Sequence, residues 1–280
     1  MMPTEPRGGP DIAALVVAVL EAPTAPAARD PLTALLVSAD PRPALVGLEQ
    51  AGGLARFLPE VAALRGVSQL PDHAMDALDH SFTACAAAPP TPLSRWTALL
   101  HDVGKVATGL LTPEGRRRFF GHELVGADLA TTALARLGFP PDFIAAVAQL
   151  IRLHLRPLSY RREWTDGAIV RLLAEAGPLW PALLAQGRAD LLGYAPEPVE
   201  RALANLEILA ARAERITHPP PPPPGSPLDG NELQALFGRP PGPWLRPLKA
   251  ALDAAVRAGT LAPDDKAAAA ALARQLAGEG

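Results

Sequence analysis

Two adjacent residues, His101 and Asp102 in the stretch RWTALLHDVGKVATG (95–109), are the first in the sequence that could do chemistry together. An imidazole beside a carboxylate suits a divalent transition ion, and a buried aspartate would be a costly charge without one. Trp96, Leu99, Leu100 and Val103 form the apolar stripe of the helix that carries the pair. Successive helical side chains point about 100° apart, so both can reach one ion only if it lies beside the helix, between their two directions. Gly104 then ends the helix and lets another backbone come close, while Lys105 can hold an anion next to the ion.

The chain has six histidines: His73, His80, His101, His122, His154 and His218. A lone histidine on an apolar face is more often a hydrogen-bonded core residue than a ligand, so none of them means much singly. His80, His101, His122 and His154, however, sit in or beside helices expected to pack in one body. His154 is the clearest: in PPDFIAAVAQLIRLHLRP it shares a helical face with Ile144, Val147 and Ile151, looking inward. His218 adjoins a run of prolines and reads as solvated.

The elements that must position these residues are helices. Over 280 residues the chain is 49% hydrophobic but only 5% aromatic, with alanine and leucine outnumbering the strand formers, so the expected fold class is all-α with few strands. A formal net charge of −3 announces no nucleic-acid binder through a global positive field, though local basic patches are compatible with it. The single cysteine, Cys85, permits no intrachain disulfide; it reads as a buried structural thiol and suits a reducing cytoplasm. The apolar run Ile12 to Leu20 is far shorter than the ~20 residues that span a bilayer. Its leader, with Glu5 and Asp11 beside one arginine, lacks the positive start of a secretory signal, so a short buried helix and a cytoplasmic location are expected.

Proline, 33 residues in all, punctuates the chain. Turns are expected at APTAPAARDP, SADPRP, GVSQLPD, AAPPTP, TPEG, LGFPPD and EAGPLWP. The stretch THPPPPPPGSPLDG (217–230) should form an extended spacer between a large body and a small tail, the alternative being a ligand for an aromatic-lined groove.

HDVGK resembles the signature of the HD superfamily of metal-dependent phosphohydrolases, whose ligand order is a lone His, a His-Asp pair and a distant Asp. The resemblance implies His80, His101, Asp102 and Asp190 as metal ligands, and Leu183, Gly187 and Asp190 share one helical face, consistent with an inward carboxylate. Members with a second metal use two further histidines, which His122 and His154 match. His73 matches a nearby position but not a core ligand. The implied cofactor is one or two divalent ions, with Mn, Ni, Co, Fe, Mg and Zn not distinguished. The flanks, LLVSADPRPALVGLEQAGGLARFLPEVAALRGVSQLPDH and LDGNELQALFGRPPGPWLRPLKAALDAAVRAGTLAPDD, resemble the neck and carboxy-terminal segment of bacterial CCA-adding tRNA nucleotidyltransferases and poly(A) polymerases.

The organisation this implies is an N-terminal extension (1–31), neck-like helices (32–70), an HD helical bundle (71–217), the Pro-rich linker (218–230) and a helical tail (231–280). Residues 1–31 lack the paired aspartates and the length of a nucleotidyltransferase head, so nucleotide addition by this chain alone is not expected. The implied chemistry is metal-assisted hydrolysis of a phosphate ester on a nucleotide or RNA end, 2′,3′-cyclic phosphates included, with Asp102 bridging two ions and Lys105 steadying the phosphate. Glu123 could orient His122 from behind. Arg116, Arg117 and Arg118 precede Phe119 and Phe120, while Arg152, Arg156, Arg161, Arg162 and Tyr160 flank His154. Arg118, Arg152 and Arg156 are the expected phosphate contacts, and Phe119, Phe120 and Tyr160 the expected stacking rings. Two other readings stand beside this one: a non-catalytic tRNA-binding accessory module, and a phosphodiesterase for a signalling nucleotide. No membrane partner and no particular oligomeric state are implied.

Overall fold

The structure, a computed structural model, describes residues 11–68, 75–113, 117–192, 196–219 and 225–278. His73, Arg116 and Pro220 to Pro224 lie outside the described residues. The expected all-α class holds. Five helices come first: α1 (Ile12–Glu21), α2 (Ala25–Leu36), α3 (Arg42–Gln50), α4 (Gly53–Phe57) and α5 (Pro59–Ala62). The central part follows as α6 (Ala77–Ala87), α7 (Pro92–Leu100), α8 (Lys105–Thr108), the antiparallel hairpin β1 (Gly109–Leu111) and β2 (Arg117–Phe119), then α9 (His122–Arg136) and α10 (Pro141–Leu153). After these run α11 (Leu155–Leu158), α12 (Asp166–Ala176), α13 (Trp180–Leu191) and α14 (Pro196–Thr217).

Local sequence explains most of the boundaries. Thr91 accepts a hydrogen bond from Ser94 N and Pro92 opens α7, while Thr165 caps α12 through Ala168 N, because a hydroxyl satisfies an otherwise orphaned first-turn amide and proline needs no donor there. The turn expected across APTAPAARDP is shorter than the sequence suggests: α2 starts at Ala25 and continues through Pro31. Proline forfeits one helical hydrogen bond, but Leu32, Leu35 and Leu36 immediately beyond it are all fully buried, and their burial outweighs that loss.

One continuous apolar core joins the first helices to α6, α7, α9 and α10 through Leu32, Leu45, Phe82, Trp96, Leu99 and Leu134. Trp96 donates its indole N–H to Thr33 at 3.1 Å and meets Phe139 edge-on, which ties α2 to α7. Arg65 grips Glu49, Asp76 and Asp79 together, so the first turn of α6 is anchored up to the residue before His80. A second core under α14 gathers Tyr160, Ile169, Leu172, Leu183 and Leu209. The stretch Asp166–Leu191 is long and apolar enough to cross a membrane. Gly177, at φ 52°, breaks it into two helices, and Gln186 and Asp190 are buried within the bundle.

Residues 218–280 form a separate compact unit. There α15 (Gly230–Phe237), α16 (Leu245–Arg257) and α17 (Lys266–Leu276) enclose Leu233, Leu252, Ala269 and Ala273. Asp229 and Glu232 close a reciprocal cap on α15. His218 is exposed.

Cys85 is fully buried, and desolvation pushes its thiol up to about 12 against the opposing pull of Arg95. The thiolate is the reactive form. A thiol reagent at pH 8 should therefore leave the native chain unmodified and label the one cysteine only in denaturant; fast labelling of the native chain would contradict this packing.

Candidate metal centre

The six candidate ligands arrive from five places in the chain. His80 comes from the first turns of α6, and His101 and Asp102 from the turn that follows α7. His122 is the first residue of α9, His154 is the residue that ends α10, and Asp190 comes from the last turn of α13. The expectation that α7 runs to Gly104 is corrected: the helix stops at Leu100, with His101 as its C-cap, and Gly104 sits at φ −68°, ψ −17° just before α8. Its role is close approach. A Cβ there would lie 2.1 Å from the His122 carbonyl oxygen and 2.6 Å from Gly126 N, so only glycine lets the His-Asp turn and the start of α9 touch.

All six side chains are buried and fall into two trios, His80, His101 and Asp190 on one side and Asp102, His122 and His154 on the other, with ligand atoms of each trio within 4.8 Å of one another. Asp102 links them. Its Oδ2 is 3.2 Å from His101 Nε2 and 3.8 Å from His80 Nε2, whereas its Oδ1 faces His122 Nε2 at 3.4 Å. Asp190 Oδ1 lies 2.9 Å from His80 Nε2 and 3.4 Å from His101 Nε2.

Three of the four rings are oriented by the same device. Nδ1 of His101 donates to Ala98 O at 2.8 Å, Nδ1 of His122 to Phe119 O at 2.7 Å, and Nδ1 of His154 to Ile151 O at 2.6 Å. A carbonyl only accepts, so each Nδ1 carries a proton and it is Nε2 that faces inward, where loss of any proton it holds would leave a lone pair for an ion. His101 Nε2 and His122 Nε2 are buried and have no hydrogen-bond partner; unsatisfied inward lone pairs are what metal ligands present. The donor set of imidazoles and carboxylates fits divalent transition ions.

The electrostatics agree. Burial alone would push His101 down, but the Asp102 and Asp190 carboxylates outweigh it and hold the ring up at about 10. Desolvation and the neighbouring His101 charge push His154 down to about 4. Burial opposes ionisation of Asp102 and Asp190, yet His101 and the other cations around them hold both well below the usual carboxylate range. Two buried carboxylates that stay charged need positive charge beside them. A histidine proton and Lys105, whose Nζ is 2.6 Å from Asp102 Oδ2, supply part of it.

Several residues singled out in the sequence lie elsewhere or act otherwise. Glu123 Oε2 is 3.9 Å from His122 Nδ1, too far to orient the ring; the Phe119 carbonyl does that instead. Tyr160 is buried in the second core and bonded to Arg212, so it offers no face to a base. Arg152 pairs with Asp128 and Arg156 with Glu175 on the surface. Arg118 is opposite Leu110 in the hairpin register, while Leu111, Arg117, Gly109 and Phe119 share the other face. That second face is the one turned to the centre, since the Phe119 ring lies 5.6 Å from Lys105 Nζ. The tertiary structure alone identifies the carbonyls of Ala98, Phe119 and Ile151, because main-chain acceptors leave no mark in residue type.

A buried His-Asp pair joined by outlying histidines and a distant aspartate in a helical bundle is compatible with an HD-type metal centre, and residues 88–216 match the family model for the HD domain. Over those residues the chain is similar to HD domains. It is 37% identical over 234 residues to the CC-adding tRNA nucleotidyltransferase of Thermus thermophilus, covering 81% of this chain and 51% of that protein. It is 35% identical over 227 residues to the A-adding tRNA nucleotidyltransferase of Deinococcus radiodurans, covering 77% and 50%. The multifunctional CCA protein of Halorhodospira halophila is 45% identical over 144 residues, 49% of this chain and 33% of that protein. The chain thus spans about half the length of the first two relatives.

Proposed function

We propose that the chain is a divalent-metal-dependent phosphohydrolase of the cytoplasm, acting on nucleotides or RNA ends, with 2′,3′-cyclic phosphates as the substrate class. The single observation that carries this reading is Asp102, whose Oδ2 faces His80 and His101 of the other trio while its Oδ1 faces His122 of its own. His80, His101 and Asp190 would hold one ion, His122 and His154 the other, and Asp102 both. Ions held there supply polarisation of phosphoryl oxygens and a lowered pKa for bound water. The backbone carbonyls behind His101, His122 and His154 keep each Nε2 aimed, so the site is organised before substrate arrives. Lys105, 7% exposed, keeps Asp102 ionised and would steady a substrate oxygen. Arg152 and Arg156 are held only by surface ion pairs, which are weak enough to exchange for a phosphate.

A second reading has an observation of its own. The similarity to tRNA nucleotidyltransferases runs over 81% of the chain rather than over the HD region alone, which favours a tRNA-binding accessory whose metal centre is structural. Hydrolysis of 2′,3′-cyclic AMP separates the two. With Mn²⁺ the purified chain should open the cyclic phosphate, and turnover should vanish on chelation, return with metal and be absent in Asp102→Ala. No turnover by the metal-loaded protein, together with tRNA binding, would favour the accessory.

A further inference from the structure

Buried side-chain atoms that make no hydrogen bond gather on one part of the described bundle. Apart from the ligand nitrogens of His101 and His122, they belong to Ser38 beyond α2, Ser81 on α6, Arg95 and Thr97 on α7, and Gln186 on α13. All but Ser38 therefore lie on the three mutually packed helices that carry or end at His80, His101 and Asp190. Gln186 is the most demanding of them. It is 2% exposed, and neither its Oε1 nor its Nε2 has a partner, so an amide with donors and acceptor sites to fill fills none. Burying such a group unsatisfied costs stability, and a native case calls for an ordered water or a ligand.

We propose that Gln186 holds an ordered water against Asp190 and so acts as a positioning residue for the trio of His80, His101 and Asp190. That role depends on the metal centre of the reading above, and not on the reaction proposed there. Gln186 stands one helical turn before Asp190 in α13, so the two share a face with Cβ atoms roughly 6 Å apart. They do not bond directly. Among the described residues Asp190 pairs with His80 and His101 alone, at 2.9 and 3.4 Å, while the Gln186 amide bonds to nothing. A gap of this size between buried polar groups, Asp190 being 4% exposed, takes one bridging water. Chemistry also favours a donor at this place. The rings of His101, His122 and His154 are aimed by main-chain carbonyls, and Asp102 is held by the Lys105 ammonium. A carboxylate only accepts, so no carbonyl can aim Asp190. A water that accepts from Gln186 Nε2 and donates to one Asp190 oxygen leaves the other oxygen turned to His80 and His101.

Mn²⁺ alone, titrated into the metal-free chain and followed by calorimetry, tests this. In Gln186→Met, whose side chain keeps the length of glutamine without its polar end, one ion should bind about ten- to hundredfold more weakly and any second ion should be unaffected. The metal-free variant should melt near the wild type, because an amide bonded only to water is exchanged for an apolar group of similar size. The pairing separates positioning from packing: a glutamine that only filled space would lower the melting temperature when replaced and leave ion affinity alone. Gln186→Leu should repeat the result. Ser38→Ala, which removes an unpartnered buried hydroxyl outside the three helices, should leave ion affinity unchanged. Wild-type affinity in both Gln186 variants, or an affinity loss that comes only with loss of the helical circular-dichroism signal, would overturn the role of Gln186 and leave the metal centre and its reaction standing. Ion binding that depends on Gln186 in a chain that hydrolyses no phosphoester would uphold the role and overturn the reaction. A wild-type chain that binds no ion would overturn both.

Discussion

Asp102→Asn is expected to abolish retention of two divalent ions and to lower any metal-dependent turnover by on the order of 10³-fold, beyond the ten- to hundredfold that residues behind a ligand typically cost. The amide keeps the shape of the carboxylate but removes the charge that faces both trios, at 3.2 Å from His101 Nε2 and 3.4 Å from His122 Nε2. It also removes the anion bonded to Lys105. That ammonium is 7% exposed and bonded to Asp102, and removing one partner of a buried pair costs about 3–5 kcal/mol. Metal analysis after extensive dialysis should find two ions per wild-type chain and fewer than one in the variant, with a lower melting temperature. Two ions retained in Asp102→Asn would show that the carboxylate does not bridge.

Gly104→Ala is expected to be the most damaging glycine-to-alanine change among the described residues. The added carbon would lie 2.1 Å from the His122 carbonyl oxygen and 2.6 Å from Gly126 N, both of them backbone, so no side chain can swing aside. Relief requires the His-Asp turn and α9 to part. Overpacking of this kind costs about 3 kcal/mol or more, or roughly 6–12 °C in a domain of this size. Because His122 opens α9, the same movement carries its Nε2 away from Asp102. The variant should melt earlier and bind one ion where the wild type binds two. His122→Ala should lose the same ion while melting nearer to the wild type, since its backbone needs no rearrangement. A Gly104→Ala chain with wild-type stability and two ions would refute the close approach.

Much of the candidate site was legible before any coordinates, because metal ligands come from few residue types and each here is out of character with its surroundings. His154 and Asp190 sit on apolar faces, and His101 with Asp102 interrupts an apolar helix. The all-α class was equally legible from the excess of alanine and leucine, and the helix starts at Pro92 and Pro141 from the turns expected at AAPPTP and LGFPPD. Where the reading failed, a local rule was overruled from a distance. Pro31 was read as part of a turn, but the burial of Leu32, Leu35 and Leu36 carries α2 through it. Tyr160 was read as a stacking ring because it stands among arginines, yet packing places it in the second core. Arg118 was preferred as a phosphate contact, although strand register turns Arg117 rather than Arg118 to the face of Phe119.

By itself the sequence determined the helical class, which follows from residue type and periodicity, and its resemblance to the HD superfamily named the six candidate ligands. Only the tertiary structure decided how six ligands divide into two trios, which carboxylate lies between them, which carbonyls aim the rings and why Gly104 must be glycine. These depend on distances between elements brought together from residues 80, 101, 122, 154 and 190. Such separations leave no periodic trace along the chain, because they are set by how helices pack rather than by what any one helix contains.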